Sequence, residues 1–345
     1  MNQANTLSTQ KSGLSFNPFG IFGVTDYKQF KEFPFLESNS IRRLKNQTKN
    51  QIRDNFRFAE RTLLLGEPGI GKTTALYYAY DILNEIEESK RPLIFLFHRF
   101  FTDADDFQFE MGITISEASK KPMYILVDFP DTINAINFKK FLDYCWTLMT
   151  SENYQNINFI FACNISHYSR SLSLSEILNK FNKFRIDRLE EKECRDLIKY
   201  RLLMAESDNY FEDEVYEVIF KYSRGIPRNI ICASKVLVDE FIDAHSVSAR
   251  DARILLKEEF IDKIINDREE HPKKRIIYKE MMKIITNDFN GTATNQSDLV
   301  NYLKEKVNIG KNKSMGLLSD LHKFGLLEFY KGGKNNSEKI WSVKI

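Results

Sequence analysis

In the stretch 61–80, RTLLLGEPGIGKTTALYYAY, Gly66, Gly69, Gly71, Lys72 and Thr73 occupy the fixed positions of G-x-x-x-x-G-K-[ST]. Glycines at that spacing let backbone N–H groups converge on an anion with no Cβ in the way. The lysine can meet the outer oxygens of a polyphosphate, and the threonine hydroxyl can enter the shell of a divalent cation. The chemistry is therefore a grip on a metal-complexed triphosphate by Gly66, Glu67, Pro68, Gly69, Ile70, Gly71, Lys72, Thr73 and Thr74. An apolar run enters the loop and a helical pattern leaves it, the context that separates this motif from coincidence.

A divalent cation needs a second protein oxygen, offered from a neighbouring buried strand. PMYILVDFPD supplies it at Asp128, so Thr73 and Asp128 are the expected Mg²⁺ partners. Hydrolysis also needs a group that orients the attacking water, and in many such sites a Glu follows the Asp. Here Phe129 stands in that place, then Pro130 and Asp131. Phe129 cannot accept a proton. Either Asp131 or another carboxylate takes the role, or turnover is slow. The triphosphate is fuel on the first reading and a signal on the second.

Two more residues can feel a terminal phosphate. Asn164 ends the apolar run INFIFACN, where its amide can polarise the water or simply form a turn. In SRGIPRNIICASKVL, Gly225 and Pro227 set a bend and Arg228 opens a helix. From there a guanidinium can reach across a cleft to a γ-phosphate.

These residues must be positioned by alternating elements. Apolar runs at 62–65, 92–97, 123–127, 157–163 and near 184–186 read as strands. Helical patterns lie between them at 73–86, around Ser116, at 133–149 and at 172–180. Continuous apolar strands interleaved with helices predict an α/β domain with a parallel sheet covered on both faces. Beyond Leu189 four amphipathic helices follow, then the charged break REEHPKK. The last part holds helices at 276–286, 296–307 and 314–324 and two strands around a Gly-Gly turn. The expected divisions are a flexible tail 1–16, a nucleotide domain 17–189, a helical lid 190–268 and a C-terminal domain 269–345.

Composition narrows the class. Apolar residues at 42% and charged residues at 28% are ordinary globular values. The formal charge is +2, but residues 271–345 carry 14 Lys and Arg against 7 Asp and Glu. A basic tail on a mildly acidic body points to an anionic partner or to a solvated charged surface. The four cysteines, Cys145, Cys163, Cys194 and Cys232, have no ligand spacing, so structural zinc is not expected and a reducing cytoplasm is. No apolar run approaches the roughly 18 residues of a membrane helix.

GEPGIGKTT, ILVDFPD, Asn164 and GIPR, in that order and followed by a helical lid, resemble the AAA+ ATPases. The nearest likeness is to the branch of origin-recognition initiators, helicase loaders and transposition ATPases. The resemblance implies a P-loop NTPase sheet, ATP and Mg²⁺ as ligands, and possible homo-oligomers or co-assembly with other AAA+ subunits. It assigns Lys72 and Thr73 to Walker A, Asp128 to Walker B, Asn164 to sensor 1 and Arg228 to sensor 2. Phe129 departs from the usual catalytic Glu; Asp131 matches a later acidic position of some relatives. Arg170 is the candidate arginine finger.

The C-terminal helices and strands resemble a winged-helix domain, which binds duplex DNA in some proteins and other proteins in others. In the third helix, Met315, Leu318, Leu321 and Phe324 are expected inward, leaving Lys313, Gly316 and Lys323 outward. With Lys311 and the wing residues Lys331 and Lys334, the lysines are candidates for phosphate contacts. The expectation is a slow ATPase whose nucleotide state controls DNA binding and partner assembly. The alternatives are a STAND-type switch acting through protein partners and a nucleotide-stabilised structural subunit.

Overall fold

The computed structural model describes residues 14, 17–19, 27–32, 37–54, 60–98, 122–129, 135–150, 157–164, 179–205, 207, 210–269, 271–324, 326–332 and 338–343. The chain divides into two compact units, Gly23–Arg188 and Met1–Phe22 with Leu189–Ile345.

In the first unit, five strands form one parallel sheet: β1 (Arg61–Gly66), β2 (Leu93–His98), β3 (Met123–Asp128), β4 (Ile157–Asn164) and β5 (Asn182–Arg185). Their spatial order is β2-β3-β4-β1-β5. Every residue of β3 and β4 is buried, which is why these strands are apolar end to end rather than alternating. The period of two still decides which cover each side chain meets. Leu63, Leu65, Ile125, Val127, Phe159, Phe161 and Cys163 pack with Phe138, Phe141, Leu142 and Cys145 of the helix Ala135–Thr150. Leu64, Tyr124, Leu126, Ile160 and Ala162 face the other way. They pack with Ala75, Leu76, Ala79 and Leu83 of the helix Lys72–Asn84, and with Ile41 and Leu44 of the helix Asn39–Arg53.

In chain order the described helices of this unit are α1 (Tyr27–Glu32), α2 (Asn39–Arg53), α3 (Lys72–Asn84) and α4 (Ala135–Thr150). The strands and the two long helices α3 and α4 fall where periodicity predicts them. Helix α2 was not foreseen: NSIRRLKNQTKNQIR buries only Ser40, Ile41, Leu44 and Thr48, too thin a stripe to stand out. Ser38 caps it, its Oγ accepting from the Ile41 N–H.

The second unit holds the helices α5 (Glu191–Met204), α6 (Asp213–Ser223), α7 (Pro227–Phe241) and α8 (Ala249–Arg268). Then come α9 (Pro272–Asn287), α10 (Gln296–Val307) and α11 (Lys311–Lys323), with β6 (Thr292–Ala293), β7 (Leu327–Gly332) and β8 (Glu338–Val343). The small sheet is antiparallel, in the order β6-β8-β7, and β6 was not foreseen. The charged break does end one helix, but the two sides pack together in this unit. Lys279 of α9 pairs with Asp262 of α8 at 2.8 Å, and Arg224 meets Glu328 of β7 at 3.5 Å.

The segment around Phe19, expected with the sheet, belongs to the helical unit. The Leu14 N–H donates to the Ile242 carbonyl, Asn17 donates to Asp239, and Phe19 stacks on Phe211 at 6.5 Å. Arg201 of α5, 2% exposed, donates to the Pro18 carbonyl at 3.2 Å, and burial lowers its pKa to about 10. All four cysteines are buried. Among the described residues, no helix is long and apolar enough to cross a membrane.

Candidate functional site

Strand β1 ends in the glycine loop and α3 begins at Lys72, so the loop spans the turn between a buried strand and a helix N-terminus. Gly69 and Gly71 have φ of 78° and 101°, a backbone region that side chains rarely tolerate. Ile70 is 3% exposed and packs into the core under α3, so its side chain anchors the loop and only its backbone faces outward chemistry. Lys72 is also buried, at 8% exposure. Its Nζ donates to the Gly66 carbonyl at 3.2 Å and the Glu67 carbonyl at 3.0 Å, which holds the ammonium against the loop.

The Thr73 hydroxyl donates to Asp128 Oδ2 at 2.5 Å. Asp128 reaches it because the even residues of β3 point toward α3. The same parity holds on β4, where Ala162 faces α3 and Cys163 faces α4, so Asn164 lies on the α3 side. In register, Gly66 is opposite Asn164 and Asp128 is opposite Ala162. Thus the ends of three adjacent strands, β1, β4 and β3, bring the loop, Asn164 and Asp128 to one edge of the sheet.

Parity sends Phe129 the other way. Its ring is 5% exposed and sits edge-on to Phe138, Phe141 and Phe161, at centroid distances of 5.1, 4.4 and 5.6 Å. Its backbone N–H donates to the Ala162 carbonyl at 3.1 Å. The position after Asp128 is therefore a core position beneath α4.

The donor set suits a hard cation. A hydroxyl and one carboxylate match Mg²⁺, which completes its octahedron with waters and substrate phosphates instead of a full protein cage. No cluster of three or more His, Cys, Asp or Glu occurs among the described residues. The concave loop, the lysine and this oxygen pair together can hold a metal-bound polyphosphate.

No protein-family model matches the chain, and no curated protein matches it by sequence. Solved structures do. The chain is similar to Aeropyrum pernix Orc1 in complex with DNA, with a TM-score of 0.55 at 13% identity over 90% of each chain. It is also similar to the Thermotoga maritima RuvB Holliday junction branch migration motor, at 0.52 and 18%, covering 93% of this chain and 95% of that one. Cdc6p from Pyrobaculum aerophilum matches at 0.52 and 12%, covering 96% and 94%. The fold is that of the AAA+ P-loop ATPases.

Within the AAA+ fold, one contact at the loop had no sequence signal. Arg188 Nη2 donates to both Glu67 oxygens, at 2.7 and 3.0 Å. The two residues are 121 positions apart, and only the pairing of β5 beside β1 brings them together: the Ile186 N–H extends it by donating to the Leu65 carbonyl at 2.9 Å. A second unforeseen group is Glu60, at the opposite end of β1. It is 1% exposed and accepts from Gln47 at 2.9 Å, Thr62 at 3.1 Å and Tyr124 at 3.1 Å. Burial raises its pKa, partly offset by these donors, and burial also raises that of Tyr124, with Glu60 adding to it.

Pro227 is the first residue of α7 and Arg228 the second, as the bend-and-helix reading requires. Gly225 has φ of 72°, and a Cβ there would lie 2.2 Å from the Leu189 carbonyl oxygen. Only glycine fits. Arg228 is half-buried in the helical unit.

In the C-terminal part, Lys311, Lys313 and Gly316 are exposed on α11. Lys323 is instead paired with Asp320 at 3.0 Å and is less available than expected. The inward face is Ser314, Leu317, Leu318 and Leu321; Met315 and Phe324 are only half-buried, a shift of the buried stripe by one residue. Asp131, Arg170, Lys334 and the helix expected around Ser116 lie outside the described residues, as do the side chain of Lys331 and all of the helix expected at 172–180 except Asn179 and Lys180, which form a turn.

Proposed function

We propose that this protein is a nucleotide-switched AAA+ ATPase with slow turnover that binds duplex DNA. The observation that carries the nucleotide part is the hydroxyl–carboxylate pair of Thr73 and Asp128 beneath a phosphate loop of unbroken motif. In this reading, backbone N–H groups from Gly66 to Thr74 cradle the β- and γ-phosphates of ATP, and Lys72 swings from the loop carbonyls to their oxygens. Thr73 and Asp128 would hold Mg²⁺, which would supply positive charge to the phosphate oxygens. Asn164 contacts the γ-phosphate or the attacking water, and Asp131 is the remaining candidate base near Asp128.

Slow turnover follows from Phe129. A residue packed against three phenylalanine rings orients no water, and Glu67 is occupied by Arg188. Arg228 is the sensor by which the helical unit distinguishes ATP from ADP, and Arg170 the finger offered to a neighbouring subunit in an oligomer.

The C-terminal domain is a winged helix in this reading, with α9, α10 and α11 as its helices and β7–β8 as the wing. Its excess of Lys and Arg, 14 against 7, and the exposed Lys311 and Lys313 favour a phosphate-directed, salt-sensitive contact. Two similar proteins point the same way: Aeropyrum pernix Orc1 was solved in complex with DNA, and Thermotoga maritima RuvB is a Holliday junction branch migration motor. The role falls among replication initiation, helicase loading and transposition targeting.

The test is a fluorescence-anisotropy titration of labelled duplex DNA with and without MgATP. Tighter binding with ATP is expected. Equal and negligible binding in both would remove the DNA part. The burial of Phe129 favours one other reading, a STAND-type switch in which ATP changes protein assembly. That reading predicts an ATP-dependent change in size with no requirement for DNA.

A further inference from the structure

Gly316 lies in the second turn of α11 and is the only glycine inside any described helix. Proline apart, glycine is the least favourable residue for a helix interior, because it surrenders the most backbone freedom. Structural demands that elsewhere call for glycine are missing at this position. Its φ is not positive, unlike that of Gly69, Gly71, Gly225 and Gly291. A Cβ built on it meets nothing within 4 Å, unlike one at Gly225 or Gly66. Packing inside the chain would accept alanine, and helix propensity would reward it.

What bare backbone offers on an exposed helix face is closer approach by another molecule. The surroundings indicate its chemistry. Lys313 lies one turn earlier on the same side, and Lys311 and Asn312 precede it, all exposed. No acidic residue occurs from 311 to 319, and Asp320, the first one, is taken by Tyr278 and Lys323, each at 3.0 Å. The apolar residues Leu317, Leu318 and Leu321 are turned inward, so this face offers cations and small polar groups rather than an apolar patch. Such a face fits a polyanion of regular shape.

We propose that Gly316 is the point of closest approach between α11 and the sugar-phosphate backbone of duplex DNA, with Lys313 beside it and Lys311 at the start of the helix as the charge contacts. This rests on the DNA reading above and adds to it a position whose missing side chain sets how deeply the helix seats.

The experiment compares full-length wild type, Gly316→Ala and Lys313→Ala. It reads anisotropy with a labelled duplex over a salt series, thermal melting, and size-exclusion chromatography. For Gly316→Ala the melting temperature should stay level or rise, while the DNA dissociation constant rises about tenfold with an unchanged salt slope. Lys313→Ala should weaken binding on every sequence and reduce the salt slope by about one. If Gly316→Ala binds within about twofold of wild type while Lys313→Ala is impaired, the DNA reading stands and the role of Gly316 is overturned. A lowered melting temperature would make the glycine structural, and altered self-association with intact DNA binding would assign it to a contact between copies; either overturns the inference. Wild type that binds no duplex overturns both.

Discussion

Thr73 and Asp128 meet at 2.5 Å, hydroxyl to carboxylate, although one opens a helix and the other closes a strand 55 residues later. The contact exists because β3 lies two strands from β1 and its even residues face α3. It sets the two oxygens side by side, as the proposed Mg²⁺ site requires. Asp128→Asn keeps the size and an oxygen but removes the charge. The expected outcome is nucleotide binding that no longer strengthens with Mg²⁺, checked by titrating a fluorescent ATP analogue with Mg²⁺ and with EDTA. Retained Mg²⁺ enhancement would show that the metal is held elsewhere.

Placing the missing glutamate by mutation should fail. Phe129→Glu would bury a carboxylate among Phe138, Phe141 and Phe161 and delete an aromatic side chain from the core. The expected loss of stability is about 3–5 kcal/mol, with no gain in phosphate release. Denaturant melts and steady-state phosphate assays read both. A stable Phe129→Glu protein with faster release would mean the turn can redirect this side chain toward the nucleotide.

Arg188 and Glu67 are each about one-third exposed, so their ion pair adds little to global stability, at most about 1 kcal/mol. Its effect is local, because Glu67 belongs to the phosphate loop. Arg188→Ala should weaken ATP binding about fivefold, on the order of 1 kcal/mol, with a nearly unchanged melting temperature. Glu67→Ala with Arg188→Ala should be no worse than either alone, as coupled partners require. Additive losses would assign Arg188 a separate contact with the nucleotide.

Glu60 supplies a pH dependence. Burial raises its folded-state pKa above the ordinary value of 4.5, so the fold favours the neutral acid. Its contribution to stability is greatest below the ordinary pKa and declines as pH rises through the raised one. Glu60→Gln removes that decline. The difference in melting temperature, Glu60→Gln minus wild type, should therefore grow from about pH 4.5 upward and then level off. A difference that is flat across this range would mean that the donors Gln47, Thr62 and Tyr124 fully compensate the buried charge.

The phosphate loop was legible because each of its positions has a local reason: glycines for backbone approach, Lys72 for charge, Thr73 for the metal. Strands β1, β3 and β4 were legible because near-complete burial makes them apolar. The orientation of Phe129 was legible in principle, since it follows from counting residues along β3. Helix α2 was hidden by its polar surface, and β6 by having two residues. Arg188–Glu67 and Glu60–Tyr124 were hidden for another reason: they join residues 121 and 64 positions apart, which only the strand order brings together. On α11 the helical period was right, but the buried stripe turned by one residue, leaving Met315 half-covered.

Every role proposed for the nucleotide begins with Lys72 gripping its outer phosphates. Isothermal titration of MgATP into wild type and Lys72→Ala reads that directly. Saturable binding to wild type, weakened at least about tenfold in a Lys72→Ala protein that still melts cooperatively, is the predicted result. Equal affinity in the two proteins, or no binding to wild type, would contradict it.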